Sequence, residues 1–269
     1  MHQGIIICCS KFEDTSLKNI PTAKRSARLM KELLAHEEFG GFEDIECLFD
    51  PTERQFIKLF RQNTSNLGAR TSLYVHIISH VFDSNGSTLI ATKDTKKRTK
   101  RNITKEQKII GIHPENLAKL IYDQKSLDIA ITLDTCLAEQ FKERFLRELD
   151  LLEKKNEVNR HKRKRIHFLT MDSSENGASY TDYQGSALTN KIYGLLLTGE
   201  PASRSPQIEL SKLSRYTQEH VEKPQINYFR RASKSVLFIG LNANRGIILP
   251  PSTLRKIFSE DERTILSAF

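Results

Sequence analysis

Two side chains of complementary chemistry close two short apolar runs. His80 ends Leu73-Tyr74-Val75-His76-Ile77-Ile78-Ser79-His80, and Cys136 ends Leu127-Asp128-Ile129-Ala130-Ile131-Thr132-Leu133-Asp134-Thr135-Cys136. A thiol beside an imidazole is enough for nucleophilic catalysis. The thiolate attacks, while the histidine takes the thiol proton and later delivers it to the leaving group. Singly, each residue has a blander reading, the cysteine as a small buried hydrophobe and the histidine as a polar strand end. Together at two strand ends they form a candidate dyad, provided that the strands are neighbours.

Runs of this length, rich in Ile, Val and Leu, read as strands buried on both faces. Parallel pairing brings both residues to the carboxyl edge of one sheet, where open α/β sheets place their sites. The rest of the chain alternates strand-like and helix-like segments. Residues 4–9 read as a strand, 22–36 as an amphipathic helix and 43–49 as a second strand. A helix then starts with Asp50 as N-cap and Pro51 at its first position. Asn85-Gly86 marks a hairpin after the His80 strand. Helical patterns at 113–124 and 137–155 flank the Cys136 strand, and 166–171 is the next strand. Polar 173–185 leads to helices at 185–197 and 209–221, and 236–240 reads as a last strand. This pattern predicts a three-layer α/β sandwich, a mostly parallel sheet with helices on both faces. Residues 1–240 form its domain, and 241–269 form an extension of unassigned role.

The formal net charge of +9 is concentrated. Residues 92–108 carry +6 and residues 153–165 carry +5, leaving the remainder slightly acidic. Neither segment contains an aromatic residue, so base stacking has no support there, and nucleic acid stays a minor candidate partner through phosphate contacts alone. The bland reading, solvated charge on loops, stays open. No stretch approaches a membrane span, and the start of the chain shows no signal-peptide pattern. The cysteines, Cys8, Cys9, Cys47 and Cys136, make neither a disulfide framework nor a metal finger, which fits a reducing cytoplasm. Asp83 and Asp94 sit in turns and can hold calcium or serve the turns alone. Gly40-Gly41 lacks the Lys-Ser/Thr of a phosphate loop.

With these parts in order the chain resembles the caspase-like cysteine peptidases, the group of caspases, metacaspases and bacterial relatives. The resemblance rests on the opening strand with Ser16-Leu17-Lys18-Asn19, the Ser79-His80 strand end and its turn, and Leu89 to Thr95. It continues through Leu133-Asp134-Thr135-Cys136, Leu169 to Ser174 with Ala178-Ser179-Tyr180, Gly185 to Thr189, and Lys223-Pro224-Gln225. It implies a caspase-hemoglobinase fold and peptide-bond cleavage by His80 and Cys136, with the amides of Val81 and Cys136 as the oxyanion hole. In the metacaspase-like branch an acid two residues before the nucleophile lines the pocket for a basic P1 side chain. Asp134 stands there, with Ser173 and Ser174 as cleft wall, and a carboxylate pairs with Arg or Lys. A helix-capping role for Asp134 is the competing reading.

Such a peptidase can cut itself at Lys97, Arg98, Arg101, Arg163 or Arg165. The resemblance further implies a protein or peptide substrate, a regulatory protein or ligand that triggers a restrained enzyme, calcium as the only cofactor to consider, and a place in defence or regulated cell death. The chain departs from the group's pattern at three places. Val81 replaces a glycine after the histidine, Leu137-Ala138-Glu139 replaces a small residue and glycine after the cysteine, and the first helix lacks a common acid. These departures leave open a catalytically weak module that binds a partner or nucleic acid through its basic loops.

Overall fold

The computed structural model describes residues 2–84, 87–96, 109–159, 162–171, 180–181, 185–199, 205–212, 226–231 and 237–241. Chain order runs β1 (His2–Cys8), α1 (Ala23–Ala35), β2 (Asp44–Phe49), α2 (Glu53–Thr64), β3 (Ser72–Ile78), β4 (Val81–Ser84) and β5 (Ser87–Ile90). It continues α3 (Pro114–Tyr122), β6 (Asp128–Asp134), α4 (Ala138–Lys155), β7 (Arg165–Met171), β8 (Tyr180–Thr181), β9 (Gly185–Ser186), α5 (Ala187–Thr198), β10 (Gln207–Glu209), β11 (Ile226–Arg231) and β12 (Phe238–Leu241).

Six strands form the central sheet in the order β11-β7-β6-β3-β1-β2. All neighbours are parallel except β11, which runs antiparallel to β7. Alternation along each strand feeds two cores. Ile6, Tyr74, Ile78 and Leu169 face one side, with α1 and α5. Ile5, Ile7, Val75, Ile131 and Phe168 face the other, with α2, α3 and α4. Side chains of a strand point alternately up and down, so a sheet covered on both faces must be apolar at every position. The predicted three-layer arrangement is therefore the observed one.

Local chemistry explains the element ends. Apolar positions at helical spacing bury Ala23, Ala27, Met30, Leu33 and Leu34 of α1. Gly40 follows because the returning chain crosses the last turn so closely that a Cβ there would lie 2.1 Å from the Leu34 carbonyl oxygen. The cap of α2 is Thr52 and not Asp50. Thr52 and Gln55 form a reciprocal capping box, and the helix begins at Glu53. Asp50 instead adopts a left-handed backbone, φ 47°.

The end of the chain departs most from expectation. The strand at one edge of the sheet, next to β7, is β11, which the sequence did not mark. β12, expected as a last strand, pairs with β10 in a separate two-stranded sheet. Most of the expected helix at 209–221, and all of 242–269, lie outside the described residues. Among the described residues no helix is long and apolar enough to cross a membrane.

Candidate active site

Strands β3 and β6 are parallel neighbours, with Ile78 paired to Asp134 at their carboxyl ends. His80 lies two residues beyond Ile78, and Cys136 two residues beyond Asp134. The register thus delivers both residues to the same level of the same sheet edge, on backbones about 5 Å apart at the last pair.

His80 is oriented by the loop between β1 and α1. Its Nε2 lies 2.7 Å from the Lys18 carbonyl oxygen. A carbonyl can only accept, so Nε2 carries the proton and Nδ1 is the basic nitrogen. The Phe12 ring stands 5.1 Å from the imidazole, tilted by 39°. The backbone beyond His80 enters the β4–β5 hairpin, where the Ala91 N–H donates to the His80 carbonyl at 2.8 Å. Val81 pairs with Ile90, but the N–H and C=O of Ile90 both serve Ile112. In an antiparallel ladder that pairing turns the Val81 amide away from β5. The side chain of Val81 is buried in the core.

Cys136 occupies the turn from β6 into α4 and is half-buried. Leu137, the N-cap of α4, sits at φ 54° and ψ 24°. A branched residue in the left-handed region is strained, and such strain persists only where the surroundings impose it. Cys136 therefore precedes the positive end of an 18-residue helix. Glu139 does not turn back toward the thiol. Its carboxylate accepts from Thr170 of β7 and pairs with Lys142. The other cysteines are poor nucleophiles. Burial pushes Cys9 and Cys47 up to about 12 and Cys8 higher still.

Beneath the edge runs a directed hydrogen-bond chain. Thr132 Oγ1 donates to the Tyr74 hydroxyl at 3.1 Å, and the Tyr74 hydroxyl lies 3.2 Å from His76 Nδ1. His76 Nε2 is 2.9 Å from Thr189 Oγ1, and Thr189 Oγ1 donates to Asp134 Oδ2. Thr189 spends its single proton on the carboxylate, so it must accept from His76 Nε2–H. His76 Nδ1 then accepts from Tyr74. Every donor in the chain points toward Asp134. Burial holds His76 down at about 3, so the ring is neutral. The Thr189 N–H also donates to Asp134 Oδ2, at 3.2 Å. Thr189 is the third residue of α5, so Asp134 caps that helix from another element. Asp134 is fully buried.

The remaining candidates divide by position. Ser173, Ser174, Lys97, Arg98 and Arg101 lie outside the described residues. Arg163 is exposed, as is Lys162. Lys164 is buried, with Nζ donating to the carbonyls of Gln124 and Ser126. Arg165 is the first residue of β7. Its amide donates to the Leu127 carbonyl and its guanidinium pairs with Asp128, which makes it a strand residue and not a loop residue. Asp94 Oδ1 accepts from the Glu53 amide at the start of α2 and from Thr92. Asp83 lies 3.9 Å from Arg144. Among the described residues, no group of three or more His, Cys, Asp or Glu can hold a metal ion. Sequence reasoning gave no site role to the Lys18 carbonyl, Asp50 or Thr189. The first is a backbone atom, and the other two act across about forty or more residues.

The architecture is caspase-like, as solved structures bear out. A structural-genomics protein from Geobacter sulfurreducens superimposes with a TM-score of 0.55 and 10% identity, covering 87% of this chain and 94% of its own. Caspase-1 from Spodoptera frugiperda gives 0.54 and 12% identity, covering 89% of each chain. The Drosophila initiator caspase Dronc gives 0.50 and 11%, covering 85% of this chain and 78% of its own. No described protein family and no curated protein matches the sequence itself.

Proposed function

We propose that this protein is a cysteine endopeptidase of caspase-like type, with Cys136 as nucleophile and His80 as general base and acid. The observation that carries the reading is the β3–β6 register, which brings the two residues to one level of the sheet edge while Lys18 fixes the imidazole tautomer. His80 Nδ1 takes the thiol proton as sulfur attacks the scissile carbonyl carbon. The amides of Val81 and Cys136 hold the oxyanion. The imidazolium then protonates the departing amine, leaving an acyl-enzyme. Nδ1 deprotonates a water that attacks the thioester, and the thiol leaves reprotonated.

Asp134 with Ser173 and Ser174 forms the P1 pocket, and its carboxylate selects Arg or Lys. In the described structure this carboxylate is sealed against α5, so a basic side chain must open that contact to reach it. The enzyme is thus restrained until a regulatory protein, a ligand or a cut releases it. Of the two processing candidates in that segment, Arg163 is exposed and Arg165 is bound into β7. The same seal, together with the strained Leu137, also favours a second reading, a catalytically weak module that docks a protein partner or nucleic acid through its basic loops.

A P1-scanned fluorogenic peptide library, with wild type and Cys136→Ala and with and without calcium, separates the readings. Cleavage after Arg or Lys that disappears in Cys136→Ala supports the proposal. Cleavage after Asp keeps the dyad and removes Asp134 from the pocket. No cleavage under any condition favours the binding module.

A further inference from the structure

We infer that Asp50 is the positioning residue of the dyad, holding the loop whose Lys18 carbonyl orients His80; this rests on the peptidase reading above. Asp50 stands just past the end of β2, where its amide donates to the Cys8 carbonyl at 2.7 Å. Its Oδ1 accepts three hydrogen bonds from the start of the β1–α1 loop: Ser10 N at 2.6 Å, Ser10 Oγ at 2.9 Å and Lys11 N at 3.0 Å. Its Oδ2 pairs with Lys24 in the first turn of α1, beyond the other end of the loop. One carboxylate therefore fastens both ends of the segment.

Between those ends the loop is closed on itself and on its neighbours. Ile20 N donates to the Ser10 carbonyl at 2.8 Å, and Phe12 N donates to Asn19 Oδ1 at 3.2 Å. Glu13 N donates to the Lys93 carbonyl, and Leu17 packs with Phe82, Leu89 and Ala91 of the hairpin that follows His80. The result is a braced platform that presents the Lys18 oxygen to Nε2 and the Phe12 ring to the imidazole.

The backbone at Asp50 supports the assignment. A left-handed φ of 47° is a conformation that non-glycine residues adopt uncommonly. That geometry is held where the carboxylate can reach three loop donors at once. Asparagine and aspartate tolerate the region best, which limits the substitutions the site accepts. The charged group paired with Asp50 is Lys24 on α1; Lys11 in the loop contributes its backbone amide, and the thiols of Cys8 and Cys9 stand nearby at the end of β1. Burial alone would raise the carboxyl, but the hydrogen bonds from Lys24, Ser10 and Lys11 outweigh it and hold the group below the usual carboxylate range. The brace therefore stays charged at neutral pH.

The test reads His80 through the thiol and does not need a substrate. Iodoacetamide alkylation of Cys136 is followed by intact mass from about pH 6 to 9 in wild type, His80→Ala, Asp50→Asn, Asp50→Ala and Ser10→Ala, each with a thermal melt. At neutral pH, Asp50→Ala is expected to react roughly tenfold slower than wild type, close to His80→Ala, with its rise displaced about one pH unit upward. Asp50→Asn keeps an acceptor for Ser10 and Lys11 but loses Lys24, so it falls between. Ser10→Ala deletes a single hydroxyl and gives the smallest shift, which keeps the series readable if Asp50→Ala fails to fold. If the Asp50 variants melt earlier yet keep the wild-type rate and pH dependence, Asp50 is a structural anchor and the assignment is overturned. If wild type and His80→Ala react alike, the dyad itself is overturned, and the role of Asp50 with it.

Discussion

Thr189 offers the sharpest energetic test of the site, because one hydroxyl joins two buried groups. It is 1% exposed, accepts from His76 Nε2 and donates to Asp134. Thr189→Val keeps the shape and deletes the hydroxyl. Two losses follow. The bond to the carboxylate is charge-assisted and worth about 1.5–3 kcal/mol. The His76 N–H is left facing a methyl group, which costs about 1–3 kcal/mol. The added methyl returns roughly 0.8 kcal/mol through burial. A shift of the His76 proton to Nδ1 would lessen the second loss, placing the net cost at about 3 kcal/mol. For a domain of this size 1 kcal/mol moves the melting temperature by roughly 2–4 °C, so the fall should be about 6–12 °C.

Thr189→Ser is the control. It retains the hydroxyl and removes only a methyl group, at a cost of about 1 kcal/mol. Differential scanning fluorimetry of the three proteins, with urea melts for the free energies, gives the comparison directly. The valine variant must melt well below the serine variant. If the two are equal, the hydroxyl does not bridge His76 to Asp134, and the directed chain from Thr132 to Asp134 is wrong.

Three further outcomes are expected. Asp134→Asn should cut kcat/KM for Arg and Lys at P1 by at least tenfold while leaving neutral P1 peptides little changed; equal losses across P1 residues would confine Asp134 to its helix-capping role. Limited trypsin digestion should cut after Lys162 or Arg163 but not after Lys164 or Arg165, because Lys164 is buried on two carbonyls and Arg165 is bound into β7; fragment masses decide it. Urea melts should show stability falling as pH drops below about 6.5. Burial holds His76 at about 3 and His167 at about 4, so the unfolded chain binds protons that the folded chain refuses. Each histidine contributes at most about 1.4 kcal/mol per pH unit over that window, and stability that stays flat from pH 6.5 to 4 would refute neutral burial of both.

What could be read from the chain depended on how local each signal is. The strands that lead to His80 and Cys136 are continuous apolar runs because both faces of the sheet are covered, so their type was visible in the residues themselves, although β3 and β6 end at Ile78 and Asp134, two residues before the expected ends. β11 was not visible, since Ile226-Asn227-Tyr228-Phe229-Arg230-Arg231 is an edge strand and mixes core contacts with polar partners. Tyr228 reaches His167, and Arg231 reaches Asp150 and Glu153. The cap of α2 was misplaced at Asp50 because Asp-Pro before a helix is a local signal, whereas the use of Asp50 lies forty residues back at Ser10.

The same distinction separates the reacting groups from the groups that aim them. A thiol and an imidazole announce themselves by residue type, and alternation supplies the edge on which they meet. The atom that fixes the His80 tautomer is a backbone carbonyl, which every residue possesses, and it arrives from 62 positions away. The Thr189 donors to Asp134 Oδ2 come from a helix 55 positions later. Neither contact depends on a side chain that composition would single out. Under the peptidase reading, a related chain can keep the cysteine and the histidine and still lose the geometry through a change at Asp50 or Thr189. The converse also holds: Val81 and Leu137 look like defects in the string of residues, yet the Val81 amide is turned away from its hairpin partner and Leu137 completes the turn that follows the thiol. The proposed dyad has to be judged by register and hydrogen bonding: the β3–β6 pairing brings both residues to one level of the sheet edge, and the Lys18 carbonyl orients the His80 imidazole.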